Sequence, residues 1–330
     1  MKTWRDAGST RGGITTVESP EIAPEEVSIE PLTPETREPP ARSQWQLFLR
    51  RFLRHRLAIA SLLILIVLYL IVSFPHTTAP YPLNPRTLAP PRGPTGNHWL
   101  GTDDLGRDQT TRIIYATHIS MTIGLMVAIF STTIGTLIGA AAGYFGGWID
   151  QLLMRITDLF LIVPAIAVIA IAQQGLENKD LPIVGHVSST TLIIGTLSIL
   201  FWQAIARVVR GLFLSIKEKE FIEAAKASGA SNRRIMFRHI LPNTIGPIVV
   251  NTTLVVAAAI LLESSLSYLG FGVKPPAVSL GSMLSDAEQW VGTKNAYLIY
   301  FPGLMLLLIV LCVNFLGDGL RDAFDPQSKH

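Results

Sequence analysis

The strongest constraint in this sequence is a run of eighteen almost entirely apolar residues, Leu57 to Phe74. A helix of that length crosses most of a bilayer's hydrocarbon core, since each residue adds about 1.5 Å and the core is about 30 Å thick. Each central Leu, Ile or Val favours insertion by roughly 0.3–0.6 kcal/mol. The run begins too far from the N-terminus to be a cleaved leader, and no A-x-A sequence follows it. We therefore predict an uncleaved membrane anchor.

Five further apolar runs follow, separated by polar or Gly- and Pro-rich segments. A mean hydropathy of +0.40 with only 15% charged residues is typical of a polytopic membrane protein rather than a soluble domain. The predicted fold class is all-α, with six transmembrane helices. Their expected bounds are Leu57 to Phe74, Ile119 to Gly143, Leu152 to Ala172, Thr191 to Val209, Thr244 to Leu262 and Tyr297 to Leu316.

The positions of the basic residues predict the orientation of these spans. Four arginines, at positions 50, 51, 54 and 56, directly precede the first span. Counted from Arg42, the segments assigned to the cytoplasm hold sixteen Lys and Arg residues and those assigned to the outside hold seven. Because cytoplasmic loops carry the excess of basic residues, both termini are expected in the cytoplasm.

The chain divides into five segments on this interpretation. Residues 1–43 lack apolar periodicity and are predicted to be a disordered cytoplasmic tail, since they cannot bury enough surface to offset their ordering entropy. Residues 44–74 hold the basic juxtamembrane segment and the first span. Residues 75–118 form an external loop, 119–317 a five-helix core, and 318–330 a cytoplasmic tail.

The second predicted span carries three glycines four residues apart, Gly135, Gly139 and Gly143. Small residues at this spacing form a stripe along one face of a helix, where a neighbouring backbone can approach closely. We predict that another helix packs there. The alternative is that the glycines face lipid and have no partner.

The longest polar stretch between apolar runs is Ser215 to Asn243. Its pattern predicts two short helices separated at Gly229, because glycine adopts the left-handed conformation that often ends a helix. Ser231 or Asn232 is expected to cap the second helix, and Pro242 to end it. The alternative is an ordinary solvated helical hairpin between two spans.

Other polar positions support narrower predictions. Thr102 is a good N-cap for a helix beginning at Asp103. Arg155 and Asp158, three residues apart, are predicted to form an ion pair at the membrane boundary. The segment from Glu263 to Pro276 is expected to be external, and no carboxylate relay is predicted inside the membrane. Neither the acidic residues near Asp104 nor the scattered histidines have the spacing of a metal site, and none is predicted.

The central polar stretch resembles a known motif. Glu223, Ala224 and Ala225, then Gly229 four residues after Ala225, then Leu241 and Pro242, are similar to the cytoplasmic EAA loop of ABC-importer permeases. His239 departs from that pattern, which has isoleucine two residues before the leucine. The HILPN ending resembles the oligopeptide, dipeptide and nickel branch of the family.

Three more segments resemble C-type permeases of this branch: HWLGTDDLGRD before the second span, ESSLSYLGFGVKPP before the last, and the ending GDGLRDAFDP. The resemblance implies a type I ABC-importer permease fold in a bacterial or archaeal cell membrane. It implies a coupling loop over 211–243, with Glu223, Ala224, Ala225, Gly229, Leu241 and Pro242 as its coupling residues.

The expected partners also follow from the resemblance. They are a second homologous permease, two ATPase subunits, an extracytoplasmic substrate-binding protein, a peptide substrate and membrane lipid, with no nucleic acid. The sequence contains no Gly-x-x-x-x-Gly-Lys-Ser/Thr loop, so ATP and Mg are expected on the partner subunits and no cofactor or catalytic residue in this chain. The alternatives are an ion-driven secondary transporter, an ABC permease for nickel or another small solute, or a membrane scaffold without transport.

Overall fold

The computed structural model of the protein describes residues 44–84, 91–176, 180–181 and 185–324. The predicted disordered tail, 1–43, lies outside the described residues. Helices dominate the described chain, and one antiparallel strand pair joins β1 (Asp180–Leu181) to β2 (Gly185–His186). The helices are α1 (Gln44–Phe52), α2 (Arg56–Ser73), α3 (Pro75–Thr78), α4 (Gln109–Phe145), α5 (Gly147–Ile162), α6 (Ala165–Leu176), α7 (Ser189–Lys217), α8 (Glu220–Ala227), α9 (Asn232–Arg234), α10 (Leu241–Tyr268), α11 (Leu280–Asp286) and α12 (Tyr297–Phe324).

Five helical stretches of the described chain are long and apolar enough to cross a membrane. They are α2, α4, α7, the continuous helix from Asn232 to Tyr268, and α12. The pair α5 and α6 makes a sixth if it is counted as one span. The prediction of an all-helical protein with six apolar spans is thereby confirmed, although most helices extend beyond the apolar runs.

The third predicted span, Leu152 to Ala172, is a bent pair of helices rather than one helix. Helices α5 and α6 differ in direction by 84° across a break at Pro164. Val163, directly before the proline, has φ −76° and ψ 123°, because the proline ring disfavours the helical conformation of the residue that precedes it. The chain therefore changes direction at Pro164 instead of continuing as one straight helix.

The glycine stripe of α4 lies against the backbone of α7. A Cβ atom on Gly135 would lie 2.6 Å from the carbonyl oxygen of Trp202, and one on Gly139 would lie 2.4 Å from that of Ala206. At Gly143 the corresponding distance to the carbonyl of Arg210 is 2.7 Å. Each glycine therefore faces the residue 67 positions later, so the two helices run parallel and touch along two helical turns.

The second span begins earlier than the apolar run indicates. Helix α4 starts at Gln109, and the Asp108 side chain caps it by accepting a hydrogen bond from Thr111 N at 2.7 Å. The prediction of Thr102 as the cap is wrong. Asp103 instead folds its own loop, since its carboxylate accepts bonds from the backbone N–H groups of Leu105 and Arg107.

The fifth span ends later than predicted. Helix α10 continues to Tyr268, and Glu263 lies fully buried within it. The helix therefore extends past the predicted end of the apolar run at Leu262, and Glu263 lies within it rather than in a connecting segment. Hydropathy fails here because the polar run ESSLS still forms helix when neighbouring helices satisfy its side chains.

Candidate functional site

The segment between α7 and α10, residues 218–240, is here called the central loop. Helix α7 continues to Lys217, well past the predicted end of the fourth span at Val209. Helix α8 follows and ends before Gly229, whose φ of +76° is the left-handed conformation predicted for it. The Ser231 side chain then caps α9 by accepting a bond from Arg234 N.

Pro242 does not end the second loop helix, which corrects the sequence prediction. Residues Ile235–Ile240 form a π-helical turn that carries the chain from α9 directly into α10. Leu241 N bonds to Met236 O, five residues earlier, so the hydrogen-bond register has already shifted where the proline lacks its N–H. The Asn243 side chain also donates to His239 O at 2.6 Å. The loop is thus continuous with a membrane-spanning helix.

One face of the central loop is part of the protein core. Ile222, Ile235 and Ile240 are fully buried and belong to the same hydrophobic cluster as Ile205 and Phe213 of α7. Burial of one such side chain contributes roughly 1.5–3 kcal/mol. The loop is therefore fixed to the helix bundle by its own apolar residues, and the reading of it as a merely solvated hairpin is wrong.

The opposite face of the loop is exposed and carries the residues predicted from the EAA pattern. Glu223, Ala224 and Gly229 are exposed, and Ala225 is half-buried. No atom lies within 4 Å of a Cβ placed on Gly229. At the start of α10, Leu241 is half-buried and Pro242 is exposed. The three glycines of the α4 stripe lie elsewhere, within the contact between α4 and α7.

Two phenylalanines share this exposure, although neither belongs to the EAA pattern. Phe221 is 47% exposed and Phe237 is 54% exposed. Phenylalanines in the most strongly charged stretch of a membrane protein are a signal that could have identified them. Large apolar side chains next to small alanines form a surface suited to binding another protein.

Polar bonds tie the central loop to the neighbouring helix ends. The Tyr144 hydroxyl donates to Asn232 Oδ1 at 2.8 Å, which joins the end of α4 to the start of α9. Lys217 Nζ donates to Tyr144 O at 2.6 Å. A displacement of the loop must therefore move the end of α4 or break the bond between Tyr144 and Asn232, while Lys217 joins the ends of α7 and α4.

Two ion pairs join α5 to α7 near the same end of the bundle. Arg210 donates to both oxygens of Asp150 at 2.5 and 2.6 Å, and Arg207 donates to Asp158 at 2.5 Å. The predicted pair of Arg155 with Asp158 is wrong, because the neighbouring helix brings an arginine to Asp158 while Arg155 points to the exterior. The bidentate contact is the more specific of the two.

The other end of the bundle holds a second charged network. Arg112 donates to Asp103 at 2.6 Å and to Asp286 at 2.8 Å, so it joins α4 to α11. The Tyr297 hydroxyl lies 2.7 Å from Thr102 O and 2.8 Å from Arg92 O. These bonds hold the HWLGTDDLGRD segment against the start of α12. No group of three or more possible metal ligands occurs among the described residues.

Comparison with known proteins gives two family matches. Residues 135–330 match the family described as the binding-protein-dependent transport system inner membrane component. Residues 43–91 match the N-terminal TM domain of oligopeptide transport permease C.

Curated relatives cover most of the chain. An oligopeptide transport system permease protein of Mycobacterium tuberculosis (strain ATCC 25618 / H37Rv) is 40% identical over 288 residues, 87% of this chain and 96% of its own. A dipeptide transport system permease protein of Alkalihalophilus pseudofirmus is 38% identical over 311 residues, 90% and 97% of the two chains. A glutathione transport system permease protein of Pectobacterium atrosepticum is 37% identical over 309 residues, 90% and 95%.

A solved structure shares the fold. It is an inward-facing crystal form of the MetNI methionine ABC transporter, with a TM-score of 0.53 and 20% identity, covering 65% of this chain and 96% of that one. This likeness confirms the predicted type I importer permease fold of the helix bundle.

Proposed function

This chain belongs to the family of binding-protein-dependent transport system inner membrane components, and we propose that it is the C-type permease subunit of an ATP-driven importer of oligopeptides or dipeptides. The substrate class is inferred from the names of the oligopeptide and dipeptide relatives. The observation that carries the proposal is the central loop, which is fixed to the core on one face and exposes Glu223, Ala224 and two phenylalanines on the other.

The proposed assembly contains a second homologous permease, two ATPase subunits and an extracytoplasmic substrate-binding protein. ATP and Mg would be bound by the ATPase subunits, and this chain would hold no cofactor and catalyse no reaction of its own. The exposed alanines would allow close docking of the central loop, Gly229 would set its turn, and Glu223 would make a charged contact. Leu241 and Pro242 would direct the loop into α10.

The contacts of the loop suggest how its movement would reach the membrane. Closure of the ATPase pair would displace the exposed face of α8. The bonds among Tyr144, Asn232 and Lys217 would carry that displacement to the end of α4. Because the glycine stripe leaves no space between α4 and α7, the two helices would move as one rigid body. The transport pathway would then open alternately to the outside and to the cytoplasm.

The orientation of the chain is part of the proposal. We place both termini and the central loop in the cytoplasm of a bacterial or archaeal cell, with the protein in the cell membrane. The excess of basic residues in the segments before the first span and in the central loop supports this placement.

A second candidate substrate is glutathione, since one relative at 37% identity is named for its transport. Glutathione is itself a small peptide, so both candidate substrates belong to the class of peptides. The ion-driven alternative predicts carboxylates within the spans, and Glu263 is a buried carboxyl group near the end of a span-length helix. Family membership nevertheless favours ATP as the energy source, because the matching family is one of binding-protein-dependent transport components.

Uptake into proteoliposomes tests the energy source and the substrate. The full complex is reconstituted with its binding protein, and uptake of a labelled tetrapeptide is compared with that of glutathione and Ni²⁺. We expect peptide uptake that requires enclosed ATP and persists when an ionophore collapses the ion gradients. Uptake that needs no ATP and stops with the ionophore would support the secondary transporter instead.

Co-purification tests the role of the loop. Glu223→Lys reverses a charge on the exposed face of α8, and Glu220→Lys makes the same change one turn earlier as the matched control. We expect the first variant to lose bound ATPase subunits while its membrane level stays normal, and the second to retain most of them. Equal retention by both would remove Glu223 from the proposed contact.

A further inference from the structure

Glu263 is a fully buried carboxyl group near the C-terminal end of α10. Ser267 Oγ donates to its Oε1 at 2.7 Å, and Ser120 Oγ of α4 donates to its Oε2 at 3.2 Å. Ser264 Oγ lies 3.4 Å from Oε2. No lysine, arginine or histidine bonds to Glu263 within the part of the chain that the structure describes. The carboxyl group is therefore an acceptor served by hydroxyl groups alone.

The same serines also receive hydrogen bonds from the chain between α10 and α11. This stretch, residues 269–279, is here called the return segment. Val273 N donates to Ser267 Oγ at 3.1 Å, and Ser279 Oγ donates to the same oxygen at 3.1 Å. Leu280 N, the first residue of α11, donates to Ser120 Oγ at 3.2 Å. Ser267 and Ser120 each donate a hydrogen bond from their hydroxyl to Glu263. The lone pairs of both hydroxyl oxygens are therefore directed toward the return segment, where they accept hydrogen bonds.

Two glycines bring the backbone of this region directly onto α10. A Cβ on Gly272 would lie 1.8 Å from Ser267 Oγ, and one on Gly281 would lie 2.4 Å from the Cα of Ser264. At Gly272 the return segment therefore has no side chain between its backbone and Ser267. A small change in the serine positions must move the segment, since no intervening atoms can absorb it.

The return segment forms one wall of a cavity of about 240 Å³ at the end of the bundle opposite the central loop. Ser267 lines this cavity together with Val273, Pro275, Arg112 and Asp286. Ser267, whose hydroxyl bonds to Glu263, is therefore a residue of the cavity wall.

We propose that Glu263 is a positioning residue that sets the shape of this cavity through Ser267 and Ser120, and that the cavity receives a surface element of the loaded binding protein. This rests on the proposed function, which makes this end of the bundle the one that meets loaded binding protein. The residue acts through the return segment and not by contact with the ATPase subunits.

Hydrogen exchange in the assembled complex tests the positioning itself. Glu263→Gln keeps the size of the side chain but replaces one acceptor oxygen with a donor. We expect amide exchange across Val273 and Leu280 to become about tenfold faster, the factor that corresponds to loss of one hydrogen bond. Ser267→Ala should give the same change. Ser265→Ala, whose exposed hydroxyl bonds only to Leu261 O of its own helix, is the matched control and should give none.

Kinetics of the reconstituted complex test the consequence. In Glu263→Gln and Ser267→Ala we expect the KM for loaded binding protein to rise several-fold. Basal ATP hydrolysis, which depends on the central loop, should stay at the level of Ser265→Ala. A purely structural role would instead lower the amount of assembled complex and basal hydrolysis together. If Glu263→Gln does not assemble, Ser267→Ala decides the question.

Unchanged exchange in the return segment would overturn the proposal. Faster exchange with an unchanged KM would overturn it as well, because the cavity shape would then not matter for delivery. A wild-type complex that takes up no peptide at all would refute the proposed function, and the exchange comparison would still decide whether Glu263 positions the segment.

Discussion

The Tyr144 hydroxyl donates a 2.8 Å hydrogen bond to Asn232 Oδ1, across 88 positions of sequence. This bond joins the last turn of α4 to the first residue of α9 and lies one residue beyond the glycine stripe. The loop that carries the EAA pattern is therefore bonded to the same helix that packs most closely against α7.

Tyr144→Phe removes this bond and keeps the ring in place. We expect a loss of about 0.5–1.5 kcal/mol in the attachment of the loop. The number of peptides imported per ATP hydrolysed should fall, because the loop could move without α4. Tyr300→Phe changes an exposed tyrosine of α12 and serves as the control. An unchanged transport ratio in both variants would mean that the buried isoleucines hold the loop without help.

Gly139→Leu should destabilise the helix bundle. Even one added carbon would lie 2.4 Å from Ala206 O, so α4 and α7 would have to separate, at a cost of about 1–3 kcal/mol. Gly195→Leu in α7 is the matched control, since no atom lies within 4 Å of a Cβ at that position. Thermal unfolding in detergent measures the difference. Equal unfolding temperatures would contradict the close contact of these helices.

Gly229→Val should separate binding of solute from its transport. The backbone there has φ +76°, where a β-branched residue costs about 1–2 kcal/mol, so the variant should turn the chain differently after α8. Membrane levels should stay normal, because the residue is exposed and outside the spans. Gly229→Asn is the control, since asparagine tolerates the left-handed region. We expect uptake to be lost with valine and largely kept with asparagine. Loss of uptake in both variants would mean that position 229 must lack a side chain, rather than that it must adopt the left-handed turn.

Labelling of single cysteines checks the orientation. In a Cys312→Ala background, a cysteine replacing Thr95 should react with an impermeant maleimide on intact cells. One replacing Lys226 should react only after permeabilisation. Both positions are exposed and lie at opposite ends of the bundle. The reverse pattern would place the central loop outside and exclude its contact with cytoplasmic ATPase subunits.

Much of the fold could be predicted from the sequence because the deciding properties are local. Leu57 to Phe74 is apolar enough to span a membrane whatever surrounds it, and Gly229 adopts the left-handed conformation that glycine permits. The EAA pattern likewise identified a stretch whose Glu223 and Ala224 are exposed. The predictions that failed concerned helix ends and partners. Asp108 rather than Thr102 caps α4, and a π-helical turn carries the chain past Pro242.

The sequence by itself determined the number of apolar spans, the turn at Gly229 and the stripe of small residues on α4. Only the tertiary structure decided that α7 fills that stripe, that Arg207 rather than Arg155 bonds to Asp158, and that Glu263 lies buried among serines. Hydropathy and turn preference depend on neighbouring residues, whereas Arg207 lies 49 positions from Asp158 and Ser120 lies 143 positions from Glu263. Which distant residues meet depends on how the helices cross, because a buried polar group bonds to whichever donor the packing places beside it.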